Sequence, residues 1–333
     1  MEKVHVALLG ATGAVGRQML RVMEERKFPV GKLTLLASER SAGTILTYAG
    51  KDIVVEPVDE RKFAGVDIAL FSPGGAVSKL YAPEAASRGA VVVDNSSAFR
   101  MDPQVPLVVP EVNPHAVKAH KGIISNPNCS TIQMVVALKP IYDAVGIRRV
   151  VVSTYQSVSG AGNKGMEELA DHTRAWMEHR RVEPRHFPYP IAFNAIPQID
   201  VFMENGYSKE EMKMILETQK IMEDNRIQIS PTTVRIPVMI GHSEAVNIET
   251  ERFLSAADAK AIWENAPGIT VIDDLSALQY PTPIHAAGKD DVFVGRIRQD
   301  FSIANGINVW VVADNLRKGA ATNAVQIAEM LLK

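Results

Sequence analysis

The sequence predicts an α/β protein in which a doubly wound, mostly parallel sheet is followed by an α+β domain with a mixed sheet. The chain has 333 residues, about the length of two average domains. Short β-branched runs alternate with helical patterns over its first half, as they do in βαβ units. The second half carries longer strand patterns and fewer helices, which is typical of a mixed sheet with helices on one face.

Composition places the chain among ordinary globular proteins. Apolar residues make up 46% of it and charged residues 22%, which excludes disordered and fibrous classes. The net charge of −2 gives no basic surface for nucleic acid, and no apolar run approaches the roughly 18 residues of a membrane span. A single cysteine excludes an internal disulfide framework and predicts a reducing, cytoplasmic location.

The strands of the first half are short apolar runs bounded by Gly, Pro, Ser or Asn. They are predicted at residues 4–9, 33–37, 68–71, 91–94 and 122–125, with helices at 15–26 and 77–88. Two further runs, 45–48 and 52–56, flank an Ala-Gly-Lys turn and predict an added hairpin.

The second half is predicted to hold seven strands, three helices and a terminal helix. The strands are residues 149–158, 227–229, 234–240, 245–250, 269–273, 292–297 and 307–313, and the helices are 164–179, 209–223 and 256–265. Pro-rich residues 184–190 predict a loop. Segment 318–332 places one apolar face toward the first domain, formed by Ala321, Ala324, Ile327, Ala328 and Leu331.

A glycine-rich turn joins the first strand to the first helix. Residues 10–16 read GATGAVG, in which Gly10 and Gly13 let the main chain approach a pyrophosphate and Gly16 permits close helix–strand packing. The N–H groups at the helix start favour phosphate as well. The spacing differs from G-x-G-x-x-G, so the motif indicates a dinucleotide site only together with its position after the first strand.

The residues after the second strand bear on which dinucleotide binds. An acidic residue there suits the free ribose of NAD, whereas arginine suits the 2′-phosphate of NADP. Arg40, flanked by Ser38 and Ser41, favours NADP. Glu39 could instead bind the free ribose hydroxyls of NAD, which remains the alternative. Ser72 follows a later strand and is expected in a second loop facing the cofactor.

The lone cysteine lies at the predicted start of a helix. Asn128 is a good N-cap candidate, which places Cys129 in the first turn before an apolar run. Free N–H groups and the helix dipole stabilise a thiolate there, and the same amides can hold a substrate oxyanion. A nucleophile is therefore favoured over an inert thiol.

Among eight histidines, His242 is the candidate base. It follows a strand and a glycine, so we expect its imidazole in a loop, exposed in a cleft, with a pKa near neutrality that suits proton transfer. His172 and His179 fall on one face of a helix and are expected to be solvated, since no Cys or carboxylate cluster completes a metal site. No metal is predicted. A thiolate, a base and a nicotinamide together indicate oxidation of an aldehyde through a thioester.

The whole chain resembles the aspartate-β-semialdehyde dehydrogenases. Nine ordered blocks carry the resemblance: GATGAVG, ASERSAG, DNSSAFR, PLVVPEVN, NPNCSTIQM, STYQSVSGAG, RIPVMIGHSE, FVGRIR and ADNLRKGAA. It implies a Rossmann-type NADP-binding domain, residues 1–128 plus 315–333, and a catalytic and dimerisation domain, residues 129–314. The second domain would resemble the C-terminal domain of glyceraldehyde-3-phosphate dehydrogenase, and the protein would be a homodimer.

The family's reaction is the reversible, NADPH-dependent reduction of L-aspartyl-4-phosphate to L-aspartate-4-semialdehyde and inorganic phosphate. It serves the synthesis of lysine, through diaminopimelate, and of threonine and methionine. By resemblance, Cys129 is the thioester nucleophile at the start of its helix, after Asn128, and His242 is the general acid/base. Gln156 orients the substrate.

The resemblance also implies binding residues. Arg235 would hold the substrate carboxylate, Arg100 with Lys213 the phosphate, and Glu210 the amine, although Glu217 and Lys220 have the same spacing and remain the alternative pair. The implied cofactor contacts are Gly10, Thr12, Gly13, Ala14, Val15, Ser38, Arg40, Ser41, Ser72, Ser159, Gly160 and Asn315.

Three other functions remain open at this point. One is an acyl-phosphate reductase for another amino acid, such as N-acetyl-glutamyl phosphate. The second is a cysteine hydrolase on a nucleotide-binding fold, which would turn over without NADP(H). The third is a dinucleotide sensor, which would tolerate Cys129→Ala.

Overall fold

The computed structural model describes residues 2–332. They form two compact units. The first unit runs to Asn128 and resumes at Ala320, and the second is Cys129–Gly319. No helix within the described residues is long and apolar enough to cross a membrane.

The first unit is built from βαβ connections, as the alternating pattern predicts. Its elements are β1 (Val4–Leu9), α1 (Ala14–Glu25), β2 (Val30–Ala37), β3 (Ile45–Tyr48), β4 (Lys51–Val54), β5 (Glu56–Pro57), β6 (Ile68–Phe71), α2 (Gly75–Ser87), β7 (Val91–Asp94) and β8 (Ile123–Ser125). Six strands form one sheet in the order β5-β2-β1-β6-β7-β8, and every neighbouring pair is parallel.

The strand order of this sheet reverses between β1 and β6. From β1 the chain first moves outward through β2 and β5, then returns to β6 and moves the other way. Loops at the carboxyl ends of the two central strands therefore diverge and leave a crevice, which is where open α/β sheets bind ligands. The glycine turn follows β1 and Ser72 follows β6, so both predicted cofactor loops lie at this switch point.

The second unit is a mixed sheet with helices on one face. It contains α3 (Cys129–Val145), β9 (Ile147–Gln156), α4 (Gly162–Met177), α5 (Lys209–Met222), β10 (Gln228–Arg235), β11 (His242–Thr250), α6 (Ala256–Glu264), β12 (Ile269–Val271), α7 (Pro283–Ala286), β13 (Val292–Asp300) and β14 (Gly306–Ala313). The strand order is β10-β9-β11-β14-β13-β12, with parallel pairs only at the two edges. Helices α3, α5 and α6 pack on the sheet.

The C-terminal segment returns to the first unit. A π-helical turn, Arg317–Ala321, leads into α8 (Thr322–Met330). The predicted apolar face is confirmed, because Ala321, Ala324, Ile327 and Ala328 are buried in a cluster with Leu8 and Met19. The amide of Asn323 also donates to the Val108 carbonyl.

Two strand predictions differ from the structure. Residues 227–229 and 234–240 were expected to be separate strands, but one edge strand, β10, spans Gln228–Arg235 and accommodates Pro231, since an edge strand has one side without ladder bonds. The predicted strand 52–56 is also divided. Lys51–Val54 completes the hairpin, whereas Glu56 and Pro57 pair with the end of β2.

His172 is another difference. The heptad spacing of histidines predicted a solvated face, but His172 is only 2% exposed and lies 3.8 Å from the buried Glu168 carboxylate. Glu168 in turn accepts main-chain N–H bonds from Arg185 and His186. The pair therefore fixes the Pro-rich loop against α4, a tertiary contact that helical periodicity cannot reveal.

Candidate active site

The glycine turn of the first unit has the geometry of a phosphate cradle. Gly10 has a φ of +87°, and a Cβ there would lie 2.6 Å from the Ser72 carbonyl oxygen. At Gly16 a Cβ would lie 2.2 Å from the Gly10 oxygen, so α1 packs directly on the turn. Gly13 N-caps α1 with no side-chain hydrogen bond, which leaves the first N–H groups of the helix available to an anion.

The other predicted cofactor residues of this unit surround the same turn. The Gly10 N–H donates to Leu36 of β2, so the end of β2 and the following Ser38 and Arg40 lie beside the glycines. Ser38 and Arg40 are exposed and Ser41 is half-buried. Within residues 2–332 the Arg40 side chain makes no ion pair. The turn, its accessible residues Thr12, Gly13, Ala14 and Val15, and this cationic loop fit a dinucleotide.

Arg100 also belongs to the first unit and is 8% exposed. Its Nε donates to the Asn126 carbonyl at 2.9 Å and a terminal nitrogen donates to the Asn95 carbonyl at 3.0 Å. Carbonyl groups orient a guanidinium without neutralising its charge. These two main-chain carbonyl groups orient the Arg100 side chain beside the segment that ends at Asn128.

In the second unit, α3 begins at Cys129, as the N-cap pattern predicts. Asn128 is buried and the cysteine is partly accessible. The thiol therefore lies at the positive end of a 17-residue helix, where N–H groups and the dipole favour the thiolate. Gly319 packs against it so closely that a Cβ there would be 2.9 Å from the Cys129 Cβ.

Glu210 and Lys213 of α5 lie beside Gln156. Gln156, at the end of β9, is 1% exposed and its Nε2 donates to Glu210 Oε1 at 3.2 Å. Lys213 Nζ lies 3.0 Å from Glu210 and 3.0 Å from Asp200. Burial lowers the pKa of Lys213, but the two carboxylates outweigh it and raise the pKa overall. Glu210 and Lys213 thus belong to the Gln156 cluster.

Arg235 ends β10 inside the same cluster. It is 6% exposed, and one terminal nitrogen donates to the Ser157 carbonyl at 2.6 Å. Burial lowers the pKa of Arg235, while the Glu210 carboxylate and Cys129 act to raise it. Since arginine stays protonated in proteins, the guanidinium is a buried cation that interacts electrostatically with both Cys129 and Glu210.

His242 differs from the sequence-based expectation. It is the first residue of β11 rather than a loop residue, and it is fully buried. Burial lowers its pKa to about 3, with Arg235 adding to the shift and Glu210 and the Gly241 main chain opposing it. The imidazole is therefore uncharged at neutral pH, and the expected pKa near neutrality is wrong for this structure. The sequence pattern does not show how deeply the imidazole ring of His242 is buried.

Ser159, Gly160 and Asn315 lie around His242. Asn315 Oδ1 accepts hydrogen bonds from Ser159 Oγ at 3.1 Å and from the Gly241 N–H at 2.9 Å. Gly160 leaves room for the cluster, because a Cβ there would be 2.9 Å from an Arg235 nitrogen and 3.2 Å from His242 Nε2. The structure thus groups Ser159, Gly160 and Asn315 with the histidine in the second unit.

Sequence reasoning missed three residues of this region. Ser157 contacts His242 through its main-chain N–H at 3.0 Å, and Gly319 approaches Cys129. Glu244 is fully buried beside Gln133, and burial raises its pKa well above the usual range. No sequence signal pointed to Glu244, because the strand was predicted to begin at residue 245; the structure shows that β11 begins at His242 and that Glu244 lies on the same face of it.

Comparison with known proteins decides the family. The model "Semialdehyde dehydrogenase, NAD binding domain" matches residues 5–120, and "Semialdehyde dehydrogenase, dimerisation domain" matches residues 138–318. The aspartate-semialdehyde dehydrogenase of Aquifex aeolicus (strain VF5) is 60% identical over 333 residues, which cover 99% of this chain and 98% of that protein. The chain belongs to the aspartate-semialdehyde dehydrogenase family. The family prediction made from nine sequence blocks is confirmed.

Other aspartate-semialdehyde dehydrogenases agree in sequence and fold. That of Bacillus subtilis (strain 168) is 56% identical, over 99% of this chain and 98% of its own. The crystal structure of aspartate semialdehyde dehydrogenase II from Vibrio cholerae complexed with ASA matches with a TM-score of 0.98 and 55% identity, covering 100% and 99% of the two chains. The Candida albicans enzyme with NADP matches with a TM-score of 0.76 and 25% identity, covering 99% of each chain. The predicted fold class, a Rossmann-type domain with a mixed-sheet domain, is confirmed.

Proposed function

We propose that this member of the family catalyses the reversible, NADPH-dependent reduction of L-aspartyl-4-phosphate to L-aspartate-4-semialdehyde and inorganic phosphate, through a thioester on Cys129. The observation that carries the proposal is the buried cluster of Gln156, Glu210 and Arg235, whose guanidinium is electrostatically coupled to a cysteine at a helix N-terminus. The product would feed the synthesis of lysine, by way of diaminopimelate, and of threonine and methionine.

The proposed cofactor site lies at the switch point of the first unit. The N–H groups at the start of α1 would hold the pyrophosphate, with Thr12, Ala14 and Val15 along the turn. Arg40, with Ser38 and Ser41, would hold a 2′-phosphate, which supports NADP over NAD. When bound, the nicotinamide supplies or accepts the hydride. We assign the first unit and its C-terminal segment to cofactor binding and the second unit to catalysis and dimerisation; the boundary at residue 315 implied by the resemblance falls five residues before Ala320, where the first unit resumes.

The proposed roles in substrate binding follow from charge. The substrate carries a carboxylate, an ammonium and a phosphoryl group at fixed separations. Arg235 offers the carboxylate a planar guanidinium that can donate two parallel hydrogen bonds. Glu210, oriented by its ion pair with Lys213, accepts hydrogen bonds from the ammonium group. Arg100 is a fixed cation for the phosphoryl group. Holding both charged ends positions the carbonyl carbon for the sulfur, an effect that is worth several kcal/mol in well-oriented reactions.

The test compares Cys129→Ser with the unmodified protein. A serine hydroxyl lacks the nucleophilicity of a thiolate at neutral pH, so we expect NADP(H) binding to persist and turnover to fall by at least ~1,000-fold. NADP reduction by aspartate semialdehyde is followed at 340 nm with and without inorganic phosphate. Turnover should require phosphate.

Controls separate this reaction from the alternatives. NADPH oxidation with N-acetyl-glutamyl phosphate in place of aspartyl phosphate should be negligible, because the Glu210 carboxylate would lose its ammonium partner. Hydrolysis without NADP(H) would indicate a cysteine hydrolase, and near-normal turnover of the serine variant would exclude the covalent mechanism.

We also propose that the protein is a homodimer that pairs through the face of the mixed sheet opposite α3, α5 and α6. This face carries a cavity of about 450 Å³ whose lining includes Ser153, Asn247 and Trp310, and it lies within the residues that match the dimerisation domain. A Ser153→Arg variant would place a charge on this face. Light scattering after size-exclusion chromatography should give a dimer for the unmodified protein and a monomer for the variant, and a monomer for both would contradict the proposal.

A further inference from the structure

Two asparagines lie side by side at the carboxyl edge of the parallel sheet. Asn95 directly follows β7 and Asn126 directly follows β8. The register pairs the last residues of these two strands, Asp94 and Ser125, so the residues after them are neighbours as well. Asn126 Nδ2 donates to Asn95 Oδ1 at 2.7 Å. We call Asn95 and Asn126 the asparagine pair.

The orientation of the Asn126 amide is determined by its neighbours. Asn126 is fully buried, and its Nδ2 also donates to the Ala320 carbonyl at 3.2 Å. Its Oδ1 accepts from Asn323 Nδ2 at 2.7 Å, and that nitrogen in turn donates to the Val108 carbonyl. An amide nitrogen only donates and an amide oxygen only accepts. Because Ala320 and Val108 present carbonyl oxygens, Nδ2 of Asn126 must be the atom that faces Asn95.

The asparagine pair also provides two main-chain carbonyl groups that orient Arg100. Nε of Arg100 donates to the Asn126 carbonyl at 2.9 Å, and a terminal nitrogen donates to the Asn95 carbonyl at 3.0 Å. A guanidinium is planar, and its N–H groups have fixed directions. The direction of this plane therefore depends on the separation of the two carbonyl oxygens. The side-chain hydrogen bond between the same two residues restrains that separation.

Asn126 connects Arg100 with the segment that leads to the nucleophile. It lies three residues before Cys129, at which α3 begins. Its side chain has no exposed surface, so it acts on a substrate only through the residues that it holds. The bonds to Ala320 and Asn323 attach it to the C-terminal segment of the first unit.

We propose that Asn126 is a positioning residue for phosphate, because its hydrogen bond to Asn95 determines the direction in which the Arg100 guanidinium points. This inference rests on the proposed function, in which Arg100 holds the phosphoryl group. A guanidinium that turns away loses charge-assisted hydrogen bonds to a phosphate oxygen. The carboxylate and the amine of aspartate semialdehyde are assigned to Arg235 and Glu210 of the second unit, so their binding does not depend on the asparagine pair.

The test measures the KM for phosphate and the KM for aspartate semialdehyde separately, by NADP reduction. In Asn126→Ala we expect the KM for phosphate to rise by about tenfold or more, since small displacements of a positioning group have effects of this size. The KM for the semialdehyde should stay the same. A purely structural role would not separate the two substrates, so equal rises in both values, or no rise in either, would overturn the proposal.

Asn323→Ala is the matched control. It removes a different hydrogen bond of Asn126, together with the bond to Val108, and leaves the bond between Asn95 and Asn126. The Tm of this variant should fall, as in Asn126→Ala, whereas its KM for phosphate should not change. If the KM for phosphate rises as much as in Asn126→Ala, the effect comes from lost stability and the proposal is wrong.

Asn95→Ala decides the matter if Asn126→Ala does not fold. It deletes the same hydrogen bond from its other end, at a half-buried position, and should give the same selective rise. Combined with Arg100→Ala it should add nothing, because a residue that acts only through Arg100 has no effect once the guanidinium is gone. A further rise in the double variant, or an unchanged KM for phosphate in Arg100→Ala, would overturn the proposal. Failure of the proposed function is seen separately, as full turnover of Cys129→Ser or turnover without phosphate.

Discussion

Glu244 offers a stability test whose magnitude follows from the structure. Its carboxyl group is fully buried two residues after His242, and within the described residues neither oxygen has a hydrogen-bond partner. Burial raises the pKa of Glu244 well above the usual range, and the nearby Gln133 amide only partly opposes this. The folded protein therefore holds a proton that the unfolded chain releases above about pH 4.5. Folding takes up that proton.

The sign and slope of the effect follow from proton linkage. The native state binds one more proton than the unfolded state between the two pKa values, so the free energy of unfolding falls by about 1.4 kcal/mol for each pH unit in that interval. Glu244→Gln keeps the shape of the protonated side chain and removes this dependence. The variant should thus gain stability over the unmodified protein as the pH rises, and show no gain below the unfolded pKa.

The assay is thermal unfolding of both proteins at equal concentration between pH 5.5 and 8. For a domain of 150–250 residues 1 kcal/mol corresponds to roughly 2–4 °C, so the difference in Tm should widen by about 3–5 °C per pH unit until the folded carboxyl ionises. Glu167→Gln, which removes an exposed carboxyl group, is the matched control. A Tm difference that does not change with pH would refute a buried, protonated Glu244.

Three further predictions concern the cofactor turn and the reaction centre. Gly10→Ala adds a methyl group 2.6 Å from a carbonyl oxygen at positive φ and should weaken NADPH binding at least tenfold by calorimetry, whereas Gly65→Ala, with positive φ but open space, should bind normally. Gly319→Ala crowds the Cys129 Cβ at 2.9 Å and should lower kcat at least tenfold; an unchanged kcat would contradict this contact. Arg235→Lys keeps the positive charge but loses one of the two parallel hydrogen bonds to the carboxylate, so KM for aspartate semialdehyde should rise by roughly 10–100-fold. An unchanged kcat/KM would show that Arg235 does not bind the substrate.

The elements that the sequence predicted well are those with strong local signals. The parallel strands of the first unit and α5 end within a few residues of prediction, because apolar runs, helical periodicity and glycine turns define them locally. The start of α3 at Cys129 followed from Asn128 in the same way. The strand across Pro231 was misjudged because its tolerance depends on lying at the edge of a sheet, which is a property of the assembled sheet.

The residues of the candidate site also fall into those with a local sequence signal and those whose position depends on the folded chain. The sequence predicted Cys129 as nucleophile and His242 as base, the resemblance implied roles for Gln156 and Arg235, and both left open which acid–lysine pair of α5 accompanies them. Only the folded chain places Glu210 against Gln156. The burial of His242 and its contact with the Ser157 amide could not be predicted either, because Ser157 lies 85 residues earlier in the chain.

The sequence by itself determined the two-part α/β architecture and the family, and it predicted the nucleophile, since periodicity, glycine spacing and a helix cap are properties of neighbouring residues. The tertiary structure alone decided the charge states. The pKa values of His242, Glu244 and Arg235 depend on desolvation and on charges brought close from distant segments, and these exist only after the sheet has assembled and excluded water.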